Sequence, residues 1–342
     1  MVPALAVAAA LRDRGADVRF VGGERAEAEL VPAAGYPFDR LEVAGLDRRN
    51  PVLAVRALAF AAGATVRARA LLRRLDVDVV LGGGGYVAAP VGLAARSLGI
   101  PLSLSEADSH LGVANRLLAP LARRIFLALP IDRRGSARYV VTGRPVPPGT
   151  GAVDQGGARE RLGIDPDRPC LLVFGGSLGA RSLNDAAIDA FGRAAPCEVL
   201  HNSGVRDYPT LRARLDALGS PGHYHLHAYA QPFADSLAAA DLATARAGGS
   251  LFELAAAGLP SILVPYPEAA ADHQTKNARW MAGAGAAVVV PDAELTAERL
   301  DSEVRSLLGA PERMRGMSDA ARRLARPDAA ERIADELLAL AR

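Results

Sequence analysis

The stretch LLVFGGSLGARSLN, residues 171–184, reads as a buried strand, a glycine loop and the start of a helix. Gly175 and Gly176 let the backbone approach a ligand closely, and Ser177 adds a hydroxyl. Amides at the head of the following helix present partial positive charge to a phosphate. Such a loop serves either a nicotinamide dinucleotide or another diphosphate. A dinucleotide site wants an acidic residue near the end of the next strand, to hold the ribose. That strand, EVLHNSG (198–204), ends instead in His201 and Asn202. The residues therefore favour a diphosphate other than NAD.

Outward from this loop, short apolar runs alternate with helical patterns along the whole chain. Strands are predicted near 170–174, 197–201, 224–228, 241–245, 261–264 and 287–290. In the first half they are predicted near 18–21, 77–81, 101–105 and 139–141. Strand–helix repetition predicts the α/β class, with parallel sheets covered by helices on both faces. At 342 residues the chain holds two such domains. The Pro- and Gly-rich stretch 145–157 reads as the linker between an N-terminal domain (1–147) and a C-terminal one (158–326). Residues 327–342, with Ile333, Leu337, Leu338 and Leu340, read as a terminal amphipathic helix. Two doubly wound domains are expected to bind ligands in the cleft where their strand ends converge.

Composition narrows the partners. Residues 1–150 carry 20 Lys+Arg against 13 Asp+Glu, and residues 151–342 carry 20 against 25, so +7 faces −5. A basic first half suits an anionic partner such as a membrane surface or a phosphorylated lipid. The segment 52–74 mixes Leu53, Leu58, Phe60 and Leu71 with Arg56, Arg67, Arg69, Arg73 and Arg74, a combination that suits an anionic lipid surface. Lys276 is the only lysine; the Arg and Ala richness points to genome composition, and no nucleic-acid partner is expected. Cys170 and Cys197 form neither a disulfide framework nor a zinc pattern. No apolar run is long enough to span a bilayer, and the opening helix lacks the basic flank of a secretory signal. A cytoplasmic location is expected.

A second glycine turn lies in ATARAGGSLFELAAAGLP (243–260). Arg246 follows a strand, Gly248 and Gly249 make the turn, and Ser250 begins a helix whose first turn holds Glu253. Glycines and Ser250 suit phosphate oxygens, whereas Glu253 suits the two hydroxyls of a ribose or, alternatively, only complements the helix dipole. Loop and acid together describe a nucleoside diphosphate site. PYPEAAADHQTKNA (265–278) adds His273, Gln274 and Asn277; amides suit sugar hydroxyls because they both donate and accept. In the first domain LGGGGYVAAP (81–90), with Tyr86, and SEADSHLGVAN (105–115), with Glu106, Asp108 and Asn115, would line the opposite wall. HYHLHAY (223–229) sets three histidines on one strand face with no acidic or thiol partner nearby in the sequence, so a structural role is expected and no metal site.

These motifs carry a resemblance. GGYVAAP, ANRLLAP, VTGRPV, FGGSLGARSLN, RAGGS with ELAAAGLP, and DHQTKNA occur in the order and spacing of the MurG family. The resemblance runs from Val2 to the terminal helix. It implies a GT-B fold of two Rossmann-like domains and a metal-independent inverting transfer that needs no cofactor. The donor would be UDP-GlcNAc and the acceptor the C4 hydroxyl of MurNAc on lipid I, giving lipid II at the cytoplasmic face of the membrane. Peptidoglycan synthesis, and through it cell-wall growth, shape and division, would be the setting.

Position by position, the resemblance puts Ser177 on the donor diphosphate and the Ala230 backbone on uracil. Gly249, Ser250 and Glu253 become the phosphate turn and the ribose acid, with Arg246 at its head, and Gln274 holds the GlcNAc. Glu106 and Asp108 occupy the family's His-Glu-Gln-Asn segment, which reads Ser-Glu-Ala-Asp here. They are the acidic candidates for the base, and Asp108 is also placed beside the donor. Tyr86 and Asn115 fall on the acceptor side.

The departures are equally specific. The family's Asn-Pro-Val-Arg reads Arg144-Pro145-Val146-Pro147, so Arg144 is the nearest substitute for a donor-binding arginine. MVPALAVAAALRDRGADVRFVGG (1–23) opens on a helix where the family has a strand and a GGTGGH loop. An upstream start that restores both is expected. Two alternatives stay open: another GT-B transferase or a UDP-GlcNAc epimerase, and a non-catalytic sugar-nucleotide-binding protein.

Overall fold

A computed structural model of the chain describes residues 1–43, 51–131, 136–176 and 179–341, the side chains of 51–61 excepted. The chain divides into two compact units, one of Met1–Pro147 with Arg326–Arg342 and one of Pro148–Ala325.

The first unit runs α1 (Val2–Asp13), β1 (Phe20–Gly22), α2 (Glu27–Ala33), β2 (Phe38–Arg40), α3 (Pro51–Arg74), β3 (Val80–Gly82), α4 (Gly85–Leu98), β4 (Leu102–Glu106), α5 (Val113–Leu118), β5 (Arg124–Leu127) and β6 (Tyr139–Val141). Its described strands form two parallel sheets, β1-β2 and β3-β4-β5-β6. Helix α1 serves both: Ala6, Val7 and Ala10 pack with Phe126, while Ala8 packs with Val31 and Tyr36. On the other face Ala64, Ala68 and Leu72 of α3 and Val87 and Val91 of α4 cover Val80, Leu102 and Leu104. The sequence pattern does not predict strands β2 and β5. Phe38-Asp-Arg40 is only three residues long and ends in charge, and Arg124-Ile-Phe-Leu127 follows directly on a helical run without a glycine to mark its start.

The second unit runs α6 (Gln155–Leu162), β7 (Cys170–Phe174), α7 (Arg181–Phe191), β8 (Glu198–Asn202), α8 (Tyr208–Ala217), β9 (Tyr224–His227), α9 (Phe233–Ala239), β10 (Leu242–Ala245), α10 (Leu251–Ala257), β11 (Ser261–Leu263), α11 (His273–Gly283), β12 (Ala287–Val289), α12 (Ala297–Leu308) and α13 (Pro311–Leu324). The last helix, α14 (Ala329–Leu340), belongs to the first unit, where Ile333, Ala334 and Leu337 pack with α1 and Phe126. All six strands are parallel, in the order β12-β11-β10-β7-β8-β9. Helices on both faces bury them, which is why β7 reads as an uninterrupted apolar run, Cys-Leu-Leu-Val-Phe. From β7 the chain winds outward through β8 and β9; from β10 it winds the other way through β11 and β12. The reversal falls between β7 and β10, and there the parallel register sets Phe174 beside Ala245. Loops leaving these two strand ends open at a topological switch point, the place where open α/β sheets bind their ligands.

Candidate functional site

Two glycine turns leave the switch point side by side. After Phe174 the chain doubles back so tightly that a Cβ on Gly175 would lie 2.2 Å from the Ala180 Cβ. The Gly179 amide donates to the Gly176 carbonyl at 3.0 Å and closes the turn. Gly179 has φ +86°, and a Cβ there would lie 2.3 Å from the Ser203 carbonyl oxygen. Close approach and left-handed backbone together explain the glycine. Ser177 lies outside the described residues. Helix α7 then starts at Arg181, and no side chain caps its first amides.

The second turn follows β10. Leu251 and Phe252 amides donate to the carbonyls of Gly248 and Gly249 at 3.3 Å, carrying the turn into α10. Gly249, Ser250 and Glu253 are all half-exposed at its head. Glu253 sits near Tyr229: burial first, and then the negative charge of Glu253, raises the Tyr229 phenol above its ordinary value. The Gln274 side chain completes the group. Its Oε1 accepts from the Tyr266 amide at 3.0 Å, and its Nε2 lies 3.8 Å from where a Gly248 Cβ would be. Asn277 is buried, donating to the Ala247 carbonyl at 3.1 Å, and the His273 Nδ1 lies 2.8 Å from the Ala270 carbonyl. Turn, acid and amide thus converge within the second unit.

Arg246 is engaged differently from its neighbours. Its guanidinium meets Asp292 Oδ1 at 2.6 Å and donates to Ser182 Oγ at 2.7 Å and to the Val264 and Pro265 carbonyls at 3.2 and 3.3 Å. Ser182 Oγ in turn donates to Asp292 at 2.7 Å. Buried to nine-tenths, Arg246 ties the head of α7 to the end of β11 beneath both turns. The rigid, multi-donor fork of arginine fits that job. The sequence signalled Arg246 but not Asp292, its partner 46 residues on.

Ala230 is buried after Tyr229, and its amide donates to Asn202 Oδ1 at 2.9 Å. Asn202 Nδ2 donates to Ser236 Oγ at 3.2 Å, so the end of β8 holds this segment in place. The histidine strand gains a partner that its sequence neighbourhood did not offer. His225 Nε2 lies 2.7 Å from Glu198 Oε2 on the adjacent strand, and Arg168 also pairs with that carboxylate. Among the described residues no group of three ligating side chains is placed to hold a metal ion.

In the first unit Glu106 organises the loop after β4. Its Oε1 accepts from the Ala107 and Asp108 amides at 3.0 and 3.3 Å; its Oε2 accepts from the Gly112 amide at 2.8 Å and from Asn115 Nδ2 at 2.9 Å. Asn115 is itself buried and also donates to the Ser105 carbonyl at 3.0 Å. Four donors on one buried carboxylate make Glu106 a loop anchor, and Asp108 is the half-buried acid that the anchored loop presents. Tyr86 stands at the head of α4, its hydroxyl against Gly23 and its ring under Arg25 at 5.0 Å. Arg144 reaches the Ala107 carbonyl at 3.5 Å. On α3, Arg67 donates to the Glu42 carbonyl, Arg69 to Ser97 and Arg74 to Asp39, while Arg73 is exposed. The side chains of Leu53, Arg56, Leu58 and Phe60 lie outside the described residues. Among the described residues no helix is long and apolar enough to cross a membrane.

Comparison with known proteins decides the family. Residues 170–333 match the glycosyltransferase family 28 C-terminal domain, and residues 1–127 match the family's N-terminal domain. The chain belongs to glycosyltransferase family 28. It is 41% identical over 352 residues to a Moorella thermoacetica protein, covering 98% of this chain and 94% of that protein. A Methylococcus capsulatus protein is 42% identical, with 97% and 93% covered. Both are named UDP-N-acetylglucosamine--N-acetylmuramyl-(pentapeptide) pyrophosphoryl-undecaprenol N-acetylglucosamine transferase. The crystal structure of Acinetobacter baumannii MurG superposes with a TM-score of 0.78 at 29% identity, covering 99% of this chain and 95% of that one. The family 28 chain is therefore a glycosyltransferase of the GT-B fold class, with two Rossmann-like parallel-sheet domains.

Proposed function

We propose that the chain transfers GlcNAc from UDP-GlcNAc to the C4 hydroxyl of MurNAc on lipid I, with inversion. One observation carries the donor side: two glycine turns leave adjacent strands at the switch point, with Glu253 and Gln274 beside the second. Diphosphate fits the turns, ribose hydroxyls fit Glu253, GlcNAc hydroxyls fit Gln274, and the Ala230 carbonyl accepts from the uracil N–H. The acceptor oxygen attacks the anomeric carbon as the bond to the diphosphate breaks, and UDP leaves. Negative charge growing on UDP is met by turn amides and the head of α7, fixed dipoles that need no reorganisation. Asp108 takes the C4 proton, since the lone pairs of Glu106 already hold the loop. Tyr86 belongs to the acceptor side.

The enzyme works at the cytoplasmic face of the membrane as a peripheral protein, and Arg67, Arg69 and Arg73 meet anionic lipid. Replacing all three by Glu is expected to abolish sedimentation with anionic liposomes; unchanged sedimentation would remove this part of the reading. The central test is GlcNAc transfer from labelled UDP-GlcNAc to a soluble lipid I analogue. Disaccharide product supports the reading. UDP-GlcNAc binding without product in the presence of acceptor would leave a sugar-nucleotide-binding protein in its place.

A further inference from the structure

The end of β8, His201-Asn202, stands where a dinucleotide-binding domain has its ribose acid, and the proposed reaction uses neither side chain. Successive strand residues face opposite sides of a sheet. Asn202 turns to the Ala230 segment, and His201 turns to α7. His201 is wholly buried. Its Nδ1 lies 2.8 Å from the Tyr224 hydroxyl and its Nε2 lies 3.0 Å from Asn184 Oδ1. Asn184 Nδ2 donates to the Ser203 carbonyl at 2.9 Å and to Asp207 Oδ2 at 3.0 Å. The donor–acceptor roles are then forced. The Ser203 carbonyl can only accept, so the Asn184 NH2 faces it and Oδ1 faces the imidazole. His201 must carry its proton on Nε2, and Nδ1 accepts from Tyr224. The far end of this relay is the surface against which Gly179 is pressed. A Cβ at Gly179 would lie 2.3 Å from the Ser203 oxygen, 3.0 Å from Asp207 Oδ2 and 3.3 Å from Asn184 Nδ2.

We propose that His201 is a positioning residue for the diphosphate site: as neutral Nε2–H imidazole it orients Asn184, and Asn184 holds the Ser203 and Asp207 oxygens against which Gly179 packs, and so sets the Gly179 and Ala180 amides that lead into α7. The proposal rests on the donor reading above. A relay of this polarity favours binding of the diphosphate and not of the nucleoside, because Asn202, on the opposite face, serves the nucleobase segment. Every member is buried, so a side chain that cannot donate to Asn184 leaves an acceptor unpaired and lets the amide rotate.

The test compares UDP with uridine, binding of each measured by titration calorimetry or by amide shifts. His201→Leu and Asn184→Asp are expected to weaken UDP about tenfold, the size of one mis-set hydrogen bond, while uridine changes less than about threefold. His201→Gln, which can donate to Asn184 and accept from Tyr224, is expected to recover most of the UDP affinity. Should His201→Leu fail to fold, Tyr224→Phe provides the second test: it frees the other tautomer and is expected to weaken UDP selectively, by a smaller factor. UDP affinity unchanged within about twofold in the folded variants overturns the proposal, as does an equal loss for UDP and uridine, the sign of a general defect. A wild-type chain that binds neither ligand overturns both this proposal and the donor reading. One that binds UDP but transfers no sugar removes the transferase reading and leaves the relay standing.

Discussion

Strand ends carry the candidate residues in both units, but the two loops are secured in different ways. In the second unit Gly179, at the end of the first glycine turn, and the turn at 246–250 rest on a buried base. The Tyr224–His201–Asn184 relay backs the first, and Arg246, joined to Asp292, Ser182 and two carbonyls, underlies both. The loop after β4 in the first unit is organised around one carboxylate, Glu106, with Arg144 reaching the Ala107 carbonyl. Several elements must move before a glycine turn of the second unit shifts, whereas one side chain accepts four hydrogen bonds in the acidic loop. A preorganised cradle of this kind suits a ligand whose charge must be met at the moment of bond breaking. A loop gathered around one carboxylate suits a neighbouring group that has to reach its proton.

The largest expected effect lies on that acidic loop. Asp108→Asn removes the proposed base without touching the anchor, so kcat should fall by about 10²–10⁴ while the melting temperature stays near wild type. A fully active Asp108→Asn would put the base elsewhere and dissolve the division of labour between Asp108 and Glu106. Next in size comes the base of the second unit. Arg246→Leu leaves the Asp292 carboxylate without its buried partner and is expected to cost about 3–5 kcal/mol in denaturant unfolding. Arg246→Lys keeps the charge but cannot span Asp292, Ser182 and the carbonyls together, so it should recover only part of the loss.

Glu106→Gln probes the single anchor. An amide offers one acceptor where the carboxylate has two, so either the pair at Ala107 and Asp108 or the pair at Gly112 and Asn115 loses its oxygen. About 1–3 kcal/mol of local stability should go with it. Hydrogen exchange at Gly112 should quicken and transfer should slow, with UDP affinity unchanged. Loss of UDP affinity as well would mean that the two loops are energetically one structure, against the contrast drawn above.

The legible parts of this molecule are local ones. All six strands of the second unit are readable because turn residues bound each of them, with β8 and β9 interleaving histidine among apolar residues, and the glycines at 175, 176, 248 and 249 mark the turns after β7 and β10. Sequence position places Glu253 in the first turn after the second glycine turn and Gln274 in the polar loop after β11, and the structure sets Gln274 beside Gly248. Partnerships across the sheet were not. Nothing in HYHLHAY announces Glu198, which reaches His225 through strand pairing, and nothing near Arg246 announces Asp292. Asn184 was within the quoted stretch, yet its task depends on His201 and Asp207, which only the β7–β8 register brings alongside. In the first unit β2 and β5 escaped notice because three or four residues carry too little periodicity.

The smallest expected effect, counted per pH unit, bears on the buried base again, through acid stability. Burial holds the His201 imidazole down to about 3 in the folded chain, from an ordinary value of 6.5. The sign follows from proton counting. Between pH 6.5 and about 3 the unfolded chain binds a proton at this site that the folded chain does not, so falling pH favours unfolding. Stability from this group is fully present above pH 6.5 and is lost as pH drops through that window, by up to about 1.4 kcal/mol for each pH unit. Tyr224 and Asn184 face the ring, with Asp207 one residue further along the relay; Arg206, by its hydrogen bonds, holds the Asp207 carboxyl below its usual range, so Asp207 stays charged over most of the window. Subtracting the pH profile of His201→Gln from that of wild type cancels the other carboxylates and leaves this slope. A difference curve flat from pH 6.5 to 4 would mean that the folded second unit admits the imidazolium. The relay would then be no firmer than the loop on Glu106, and the contrast between the two units would fail at its strongest point.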